Sequence, residues 1–183
     1  TRMLKNNVKI TWEMLEISLK LNLKQFINFS SVHAEYRVTK TKTNKSTLPN
    51  NLYGLSHLIR ENICNYYNQN HGLNCFNVRL SNSYGEPVFN ISKNWTNIIN
   101  SMIMEAYLEN KITIHSDGVA KKNFIHYRDV CKGLEKVIKD RKQLKADPIY
   151  LKSNHNYSLI HIALIIKSIF LKRRKKDIPI YIR

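Results

Sequence analysis

The chain has 183 residues, of which 43% are hydrophobic, and this size and composition suit one soluble globular domain with a real core. The formal net charge of +17 would suit a nucleic-acid-binding protein, but the lysines are spread along the chain, so we expect nucleic acid not to be a partner. The three cysteines, Cys64, Cys75 and Cys131, lack the spacing of a metal site or a disulfide framework, and no apolar run reaches transmembrane length. We therefore expect a cytoplasmic protein with no membrane partner and no bound metal.

The amino-terminal part of the sequence predicts a helix followed by a strand. Asn7 is a candidate N-cap for a helix that continues to about residue 21. The apolar positions that would form its core face are Trp12, Leu15, Leu19 and Leu21. The segment Gln25–Phe29 reads as a strand, and it ends in two hydroxyl residues, Ser30 and Ser31.

A second helix and strand follow a polar segment, 33–51, which we read as a surface loop. The helix should run from Tyr53 to about Asn70, because His71-Gly72 is a C-cap signal. The next strand, Asn74–Leu80, leads into the polar turn 81–87. A strand–helix–strand order of this kind predicts an α/β fold whose polar residues converge at the carboxyl ends of the strands.

The rest of the chain predicts short strands and further helices. A helix is expected from about Trp95 to Leu108, and Asp129 should open another. Ser158 is a candidate cap for a last helix that ends in the basic run 172–176, which we interpret as a solvated helix end. The predicted strands are 111–115, 124–127 and 149–151, and the inward positions of the last helix are Ile162, Ile165, Ile166 and Ile169.

Four sequence motifs occur in an order that resembles one enzyme family. They are Phe29-Ser30-Ser31, Tyr53-Gly54-Leu55-Ser56-His57, Arg79-Leu80-Ser81-Asn82-Ser83-Tyr84-Gly85, and Asp117-Gly118 continuing to Phe124-Ile125-His126-Tyr127-Arg128-Asp129-Val130. Together they resemble the extended short-chain dehydrogenases/reductases, the NAD-dependent epimerases and dehydratases of nucleotide sugars. The resemblance implies the carboxyl-terminal part of a Rossmann-type parallel sheet, with residues 1–87 in the dinucleotide-binding domain. Residues 88–183 would mainly form a small mixed α/β substrate-binding lobe, with some strands returning to the sheet.

The glycine-rich loop that binds the cofactor pyrophosphate in this family has no counterpart here. The five glycines are too widely spaced for a G-x-G-x-x-G motif. The family carries that loop before the segments matched here, so we expect a chain that lacks the amino-terminal part. The resemblance implies NAD or NADP as cofactor, a nucleotide-sugar substrate and a homodimer when the protein is full length.

The resemblance also assigns roles to individual residues. Tyr53 matches the tyrosine that exchanges a proton with the sugar, and Ser31 matches the residue that hydrogen-bonds the reacting oxygen, with Ser30 as an alternative in register. The Leu80 backbone lies where the family contacts nicotinamide. Asn82 and Lys122 match substrate-binding positions, and Lys122 stands where many members have an arginine on the nucleotide diphosphate.

His57 is the main departure from the family pattern. The family has a lysine four residues after the tyrosine, where its charge lowers the phenol pKa and its amine holds the cofactor ribose. A free histidine has a pKa near 6.5 and is mostly neutral at pH 7. The substitution predicts a weak or inactive catalyst, or one that works best at mildly acidic pH, where His57 would be charged. The alternative is a non-catalytic relative that binds a nucleotide sugar or a protein partner.

Overall fold

The computed structural model describes residues 4–35, 48–86, 95–140 and 148–183. These residues form two compact units, each built from two separate stretches of the chain. The first unit is Thr1–Ser81 with Val137–Leu151, and the second is Asn82–Lys136 with Lys152–Arg183. The sequence-based domain boundary, after residue 87, lies outside the described residues.

The described residues form five α-helices, separated along the chain by one or two strands. The helices are Ile10–Lys20 (α1), Leu52–His71 (α2), Ile98–Glu109 (α3), Tyr127–Lys139 (α4) and Leu159–Arg174 (α5). The strands are Phe26–Ser31 (β1), Cys75–Leu80 (β2), Asn82–Tyr84 (β3), Ile112–Ile114 (β4), Lys121–His126 (β5), Ile149–Leu151 (β6), Asn156–Ser158 (β7) and Ile180–Ile182 (β8). A π-helical turn, Lys5–Lys9, leads into α1, and a 3-10 turn, Val32–Ala34, follows β1.

The first unit is a parallel three-stranded sheet in the order β1-β2-β6, with α2 connecting the first two strands. All six residues of β1 pair with those of β2, from Phe26 opposite Cys75 to Ser31 opposite Leu80. Helix α2 packs on both strands, and α1 packs on α2. Leu15, Cys64 and other residues of α1, α2 and the start of β2 form the core between the helices and the sheet. This arrangement confirms the predicted α/β class with a parallel sheet.

The second unit is a mixed α/β structure with two small sheets. Strand β5 pairs in parallel with β3 and antiparallel with β7, whereas β4 pairs in parallel with β8. The two helices α3 and α5 cover one apolar core. The fully or almost fully buried members of this core include Ala106, Ile112, Ile114, Ala163 and Ile178.

The predicted start of the first helix is wrong. Asn7 lies inside the π-helical turn and does not cap it; instead its side-chain amide donates to Ser56 Oγ at 2.9 Å. The predicted core face is also only partly correct, because Leu15 is fully buried whereas Trp12 and Leu21 are exposed. Spacing alone marks an apolar stripe, but in this helix the part that meets the core is narrower than the stripe.

Other predicted boundaries need smaller corrections. Asp129 lies in the first turn of α4 rather than at its cap, because the helix begins two residues earlier at Tyr127. Ser158 caps α5 as predicted, since its Oγ accepts the backbone N–H of His161 at 3.2 Å. Ile165 and Ile169, predicted to point inward, are exposed. Of the predicted loop 33–51, residues 36–47 lie outside the described residues.

Candidate functional site

Tyr53 presents its phenol on the first turn of α2. The helix begins where expected because Asn51 Oδ1 accepts the backbone N–H of Gly54 at 2.7 Å, an N-cap contact. The Tyr53 side chain is 43% exposed. Its ring meets the His57 ring edge-on, with centroids 4.5 Å apart, and lies 5.8 Å from the ring of His33. Tyr53 and His57, the two positions that match the family's tyrosine and lysine, are therefore in direct contact.

Gly54 lets the start of α2 approach the segment that follows β1. A Cβ at this position would lie 2.0 Å from the carbonyl oxygen of His33 and 2.9 Å from Pro49. Any side chain there would force the helix away from the 3-10 turn. The glycine next to Tyr53 thus fixes how close the phenol lies to the end of β1.

Ser31 and Leu80 are opposite each other at the carboxyl ends of β1 and β2. Ser31 Oγ accepts the backbone N–H of His33 at 3.2 Å, which ties the strand end to the turn that contacts α2. Ser30 faces the helix side, where its hydroxyl donates to Glu61. Because Ser30 is committed to this buried carboxylate, Ser31 is the better candidate for contact with a ligand.

A buried hydroxyl without a partner lies beside this strand end. Among the described residues, Ser81 Oγ has no hydrogen-bond partner although the residue is buried. Ser81 directly follows Leu80, and its backbone N–H donates to Leu151 O at 3.1 Å. Open parallel sheets bind ligands at the carboxyl ends of their strands, and an unpaired buried polar atom is costly in the absence of one. The strand ends therefore fit a polar ligand group near Ser81.

His57 is buried and held neutral. Its side chain is 7% exposed, and this burial, followed by the nearby charge of Arg60, lowers its pKa to about 4. The idea that His57 becomes charged at mildly acidic pH is therefore wrong, because the imidazole stays neutral well below pH 6. The loss of the family's lysine is thus a loss of charge at this position.

Arg60 brings a guanidinium against His57 from one turn further along α2. Its Nη1 lies 3.4 Å from His57 Nδ1. Its Nε donates to Thr11 Oγ1 of α1 at 2.8 Å, and its Nη2 donates to Asn28 Oδ1 of β1 at 2.6 Å. Burial lowers the pKa of Arg60, while the Tyr53 phenol is among the groups that act in the opposite direction. The cation is thus fixed by two neighbouring elements, within electrostatic range of the tyrosine.

A buried ion pair joins α2 to β2 beneath the candidate site. Arg79 donates through Nε and Nη2 to the two carboxylate oxygens of Glu61, at 2.8 and 2.7 Å. Arg79 Nη1 also donates to the Tyr150 hydroxyl of β6 at 2.7 Å, and that hydroxyl donates to Glu35. The bond to Glu61 raises the pKa of Arg79, so the guanidinium stays charged. This network fixes the position of α2, and with it Tyr53, relative to all three strands of the sheet.

The two predicted substrate residues, Asn82 and Lys122, belong to the second unit. Asn82 of β3 lies opposite Phe124 of β5, and its side-chain amide donates to Asn123 O at 2.9 Å. Lys122 is exposed and lies two residues before Phe124, so strand alternation places it on the same face as Asn82. Asn82 also lines a cavity of about 160 Å³ with Asn97 and Phe124. Within this unit the two residues lie on adjacent strands, two positions apart in the register.

Sequence reasoning missed three residues of the site. Arg60 and Glu61 follow the Tyr53 motif, but nothing in their spacing shows that one contacts His57 and the other a buried arginine. Ser81 lay within a quoted motif without an assigned role. The available signal was charge on the buried face of a helix, since Glu61 is only 3% exposed and ionised groups are rarely buried without partners.

The histidine, cysteine and acidic side chains of the described residues bear on metal binding and on disulfides. No group of three or more histidine, cysteine or acidic side chains is arranged to hold a metal ion there. All three cysteines are free thiols, and Cys64 and Cys75 are buried. None of the helices in the described ranges combines the length and apolar character that a membrane crossing requires.

Comparison with known proteins identifies relatives of this arrangement. The family model described as the NAD dependent epimerase/dehydratase family matches residues 1–151. An uncharacterized UDP-glucose epimerase of Bacillus subtilis (strain 168) is 23% identical over 167 residues, which cover 90% of this chain and 50% of that protein. A GDP-mannose 3,5-epimerase of Arabidopsis thaliana is 32% identical over 90 residues, covering 44% of this chain and 24% of that protein. The chain therefore spans about half the length of the first of these relatives.

Solved structures show the same fold. The epimerase Mth375 of Methanothermobacter thermautotrophicus superimposes with a TM-score of 0.80 at 19% identity, over 98% of this chain and 53% of that one. The UDP-glucuronic acid 4-epimerase of Bacillus cereus, solved with UDP-glucuronic acid and NAD, gives a TM-score of 0.76 at 21% identity, over 97% and 54% of the two chains. The family match confirms what the four sequence motifs indicated, and NAD is the cofactor of that family. The chain belongs to the NAD-dependent epimerase/dehydratase family.

Proposed function

We propose that this protein acts on a nucleotide sugar with NAD as cofactor, as an epimerase, a dehydratase or a reductase, and that Tyr53 transfers the proton. The observation that carries the proposal is the exposed Tyr53 phenol, held on the first turn of α2 with its ring against His57. Membership of the family supports the substrate class and the cofactor. NADP remains the alternative cofactor.

The residues at the strand ends would bind the nicotinamide end of the cofactor. Leu80 supplies backbone groups there, Ser81 supplies the unpaired hydroxyl, and the neutral His57 ring supplies a hydrogen-bond donor for the ribose. When bound, nicotinamide accepts or returns a hydride. The chemistry left to this chain is to bind, to orient and to move one proton.

The proton would pass through the phenol oxygen of Tyr53. Ionised to the phenolate, the tyrosine can take a proton from a sugar hydroxyl, and as the neutral phenol it can give one to a carbonyl. Ser31 would hydrogen-bond the same reacting oxygen and hold it near the phenol. Among the described residues, Ser31 Oγ accepts from His33 and its own O–H has no acceptor, so it can donate to a ligand. Asn82 and Lys122 would bind the sugar and the diphosphate.

The proposal is tested on the full-length protein with UDP-, GDP- and dTDP-sugars and NAD, with products separated by chromatography. Replacing Tyr53 by Phe should lower turnover by about 10² to 10⁴, because positioned proton transfer contributes roughly that factor. Tyr66→Phe is the matched control, since Tyr66 is also exposed on α2 and also contacts a histidine ring, His71. Equal turnover in the Tyr53 variant and the Tyr66 variant would contradict the role of Tyr53.

A second candidate function is a non-catalytic relative that binds a nucleotide sugar or a protein partner. The observation that favours it is the neutral, buried His57 in place of the family's lysine. Calorimetry with UDP- and GDP-sugars, with NADH alongside, separates the two candidates. Sugar binding without NADH binding and without turnover would support the non-catalytic candidate.

Three further expectations stay predictions. The protein is proposed to form a homodimer when full length, to act in the cytoplasm, and not to bind nucleic acid. The free thiols of the three cysteines agree with a reducing compartment. Size-exclusion chromatography with light scattering on the full-length protein tests the dimer, and a salt-dependent gel shift tests nucleic-acid binding.

A further inference from the structure

One face of α2 carries three chemically distinct side chains at helical spacing. Tyr53, His57 and Arg60 lie at positions i, i+4 and i+7, so they follow one another along the same face over two turns. The Tyr53 and His57 rings are in contact, and Nη1 of the Arg60 guanidinium lies 3.4 Å from Nδ1 of the His57 ring. The phenol, imidazole and guanidinium therefore form one continuous row.

The Arg60 side chain has little freedom to leave this row. Thr11 and Asn28, on two different elements, each accept one of its N–H groups at 2.8 and 2.6 Å. Thr11 is in turn fixed by donating to Asn7 O at 2.7 Å. These two hydrogen bonds fix the guanidinium, and so they also fix the position of its Nη1 next to His57 Nδ1.

The chemistry of a guanidinium decides the state of the His57 ring. Arginine has only donors, so Nδ1 of His57 must act as the acceptor, and the proton of the neutral ring must lie on Nε2. The Nε2–H is then free to donate away from Arg60. A fixed tautomer of this kind gives the ring one defined donor instead of an exchanging pair.

The charge of Arg60 is not cancelled by a carboxylate. Its hydrogen-bond partners Thr11, Asn28 and His57 are neutral, and in the described ranges no acidic side chain lies within ion-pair distance of it. The neighbouring carboxylate, Glu61, is bound on both oxygens by Arg79. The positive charge can therefore act along the row towards Tyr53.

We propose that Arg60 supplies the positive charge which a lysine at position 57 provides in the family, and that it does so as a positioning residue, through the His57 ring. The inference rests on the proposed role of Tyr53 in proton transfer. Compared with the family's lysine at position 57, the positive charge lies one turn further along the helix, at Arg60. Two side chains therefore supply what the single lysine supplies in the family. Arg60 keeps the charge, and His57 makes the hydrogen bond to the ligand.

The state of the His57 ring is tested by NMR on the chain with ¹⁵N-labelled histidine, without any activity measurement. In the wild type the ring should be the Nε2–H tautomer and stay neutral to about pH 4. In Arg60→Gln, which keeps hydrogen-bonding capacity but loses the charge, the pKa of His57 should rise by about one unit and the tautomers should mix. Arg60→Lys, which keeps the charge, should shift the pKa of His57 less than Arg60→Gln does. Lys24→Met, at an exposed site of the same unit, should leave the pKa of His57 unchanged. An unchanged tautomer and an unchanged His57 pKa in Arg60→Gln would overturn the inference.

Turnover of the full-length protein supplies an independent test by rescue. Arg60→Gln should lower kcat about tenfold or more, with KM changing less. Adding His57→Lys to Arg60→Gln should restore much of this loss, because the lysine brings back the cation. His57→Lys alone should help little, since it places two cations side by side.

The outcomes separate this inference from the proposed function. If Tyr53→Phe abolishes turnover and Arg60→Gln leaves it unchanged, the function stands and the inference falls. If Tyr53→Phe leaves turnover unchanged, the proposed function falls, and the NMR comparison still decides whether Arg60 sets the state of His57. A double variant no more active than Arg60→Gln alone would count against the shared role.

Discussion

Arg79 and Glu61 form a two-pronged ion pair between β2 and α2, with Nε and Nη2 of the arginine 2.8 and 2.7 Å from the two carboxylate oxygens. Their side chains are only 7% and 4% exposed. A buried pair of this kind adds little net stability, but removing one partner leaves an uncompensated charge inside the protein. The pair therefore acts mainly as a specific link between the helix that carries Tyr53 and the sheet.

The first prediction follows from this pair. Glu61→Gln should lower the free energy of unfolding by about 3 to 5 kcal/mol, because Arg79 would remain charged and buried without its carboxylate. Urea denaturation followed by circular dichroism measures the change. Glu13→Gln is the control, since its ion pair with Lys9 is exposed on α1 and should contribute nothing measurable. Equal losses in the two variants would contradict the prediction.

The second prediction concerns the close approach at Gly54. Gly54→Ala should destabilise the protein by about 1 to 3 kcal/mol, because the new Cβ would overlap the His33 carbonyl. Gly72→Ala at the other end of α2 is the matched control. It has φ +67° and nothing within 4 Å, so it should cost only about 1 kcal/mol through backbone strain. A Gly54 variant no less stable than the Gly72 variant would be evidence against the tight contact.

The third prediction concerns the cap that starts α2. Asn51→Ala should cost about 1 kcal/mol, because the Gly54 N–H loses its acceptor in the helix turn that carries Tyr53. Asn50→Ala, one residue earlier and exposed, should leave thermal stability unchanged. Differential scanning calorimetry compares the two. If both variants had the melting temperature of the wild type, the cap would contribute nothing to stability.

The fourth prediction gives the pH dependence of stability. Burial, and then the charge of Arg60, lowers the pKa of His57 to about 4, whereas a free histidine protonates near 6.5. Between these values the unfolded chain binds more protons than the folded one, so the free energy of unfolding should fall as pH drops from 6.5 towards 4. The full contribution is about 3 kcal/mol.

Urea titrations at several pH values between 4 and 7 measure this contribution. His57→Gln should lose less stability with acid than the wild type does. His115→Gln, at an exposed position, should follow the wild-type curve. Parallel curves for the wild type and the His57 variant would show that the buried imidazole is not the group responsible.

The sequence predicted elements best where a single local rule decides them. The left-handed Gly72 that ends α2 and the cap at Ser158 are as expected, because each depends on one residue and its neighbours. The predicted start of α1 was wrong because the Asn7 side chain hydrogen-bonds to Ser56, 49 positions away, instead of capping the helix. Such a contact leaves no trace in local spacing.

In the candidate site, too, contacts that follow from local spacing can be predicted, and contacts that depend on distant residues cannot. The contact between Tyr53 and His57 follows from helical spacing, because the two residues lie four positions apart on α2. The contact between Arg60 and His57 has equally regular spacing, but its meaning depends on Thr11 and Asn28, which hold the guanidinium from other elements. The three-residue strands β4 and β6 were predicted, whereas β3, β7 and β8, of the same length, were missed. Strands β3 and β7 consist mainly of polar residues, and β3 was read as part of the turn 81–87.

Strand β4 has its neighbour in β8, so residues 112–114 are paired with residues 180–182. During synthesis the earlier strand must therefore wait for nearly seventy further residues before its hydrogen bonds can close. Closing so long a loop is slow, and an edge left open meanwhile can pair with another chain. Nascent chains that end before residue 180 should accordingly leave the β4 edge unpaired and open to association with another chain.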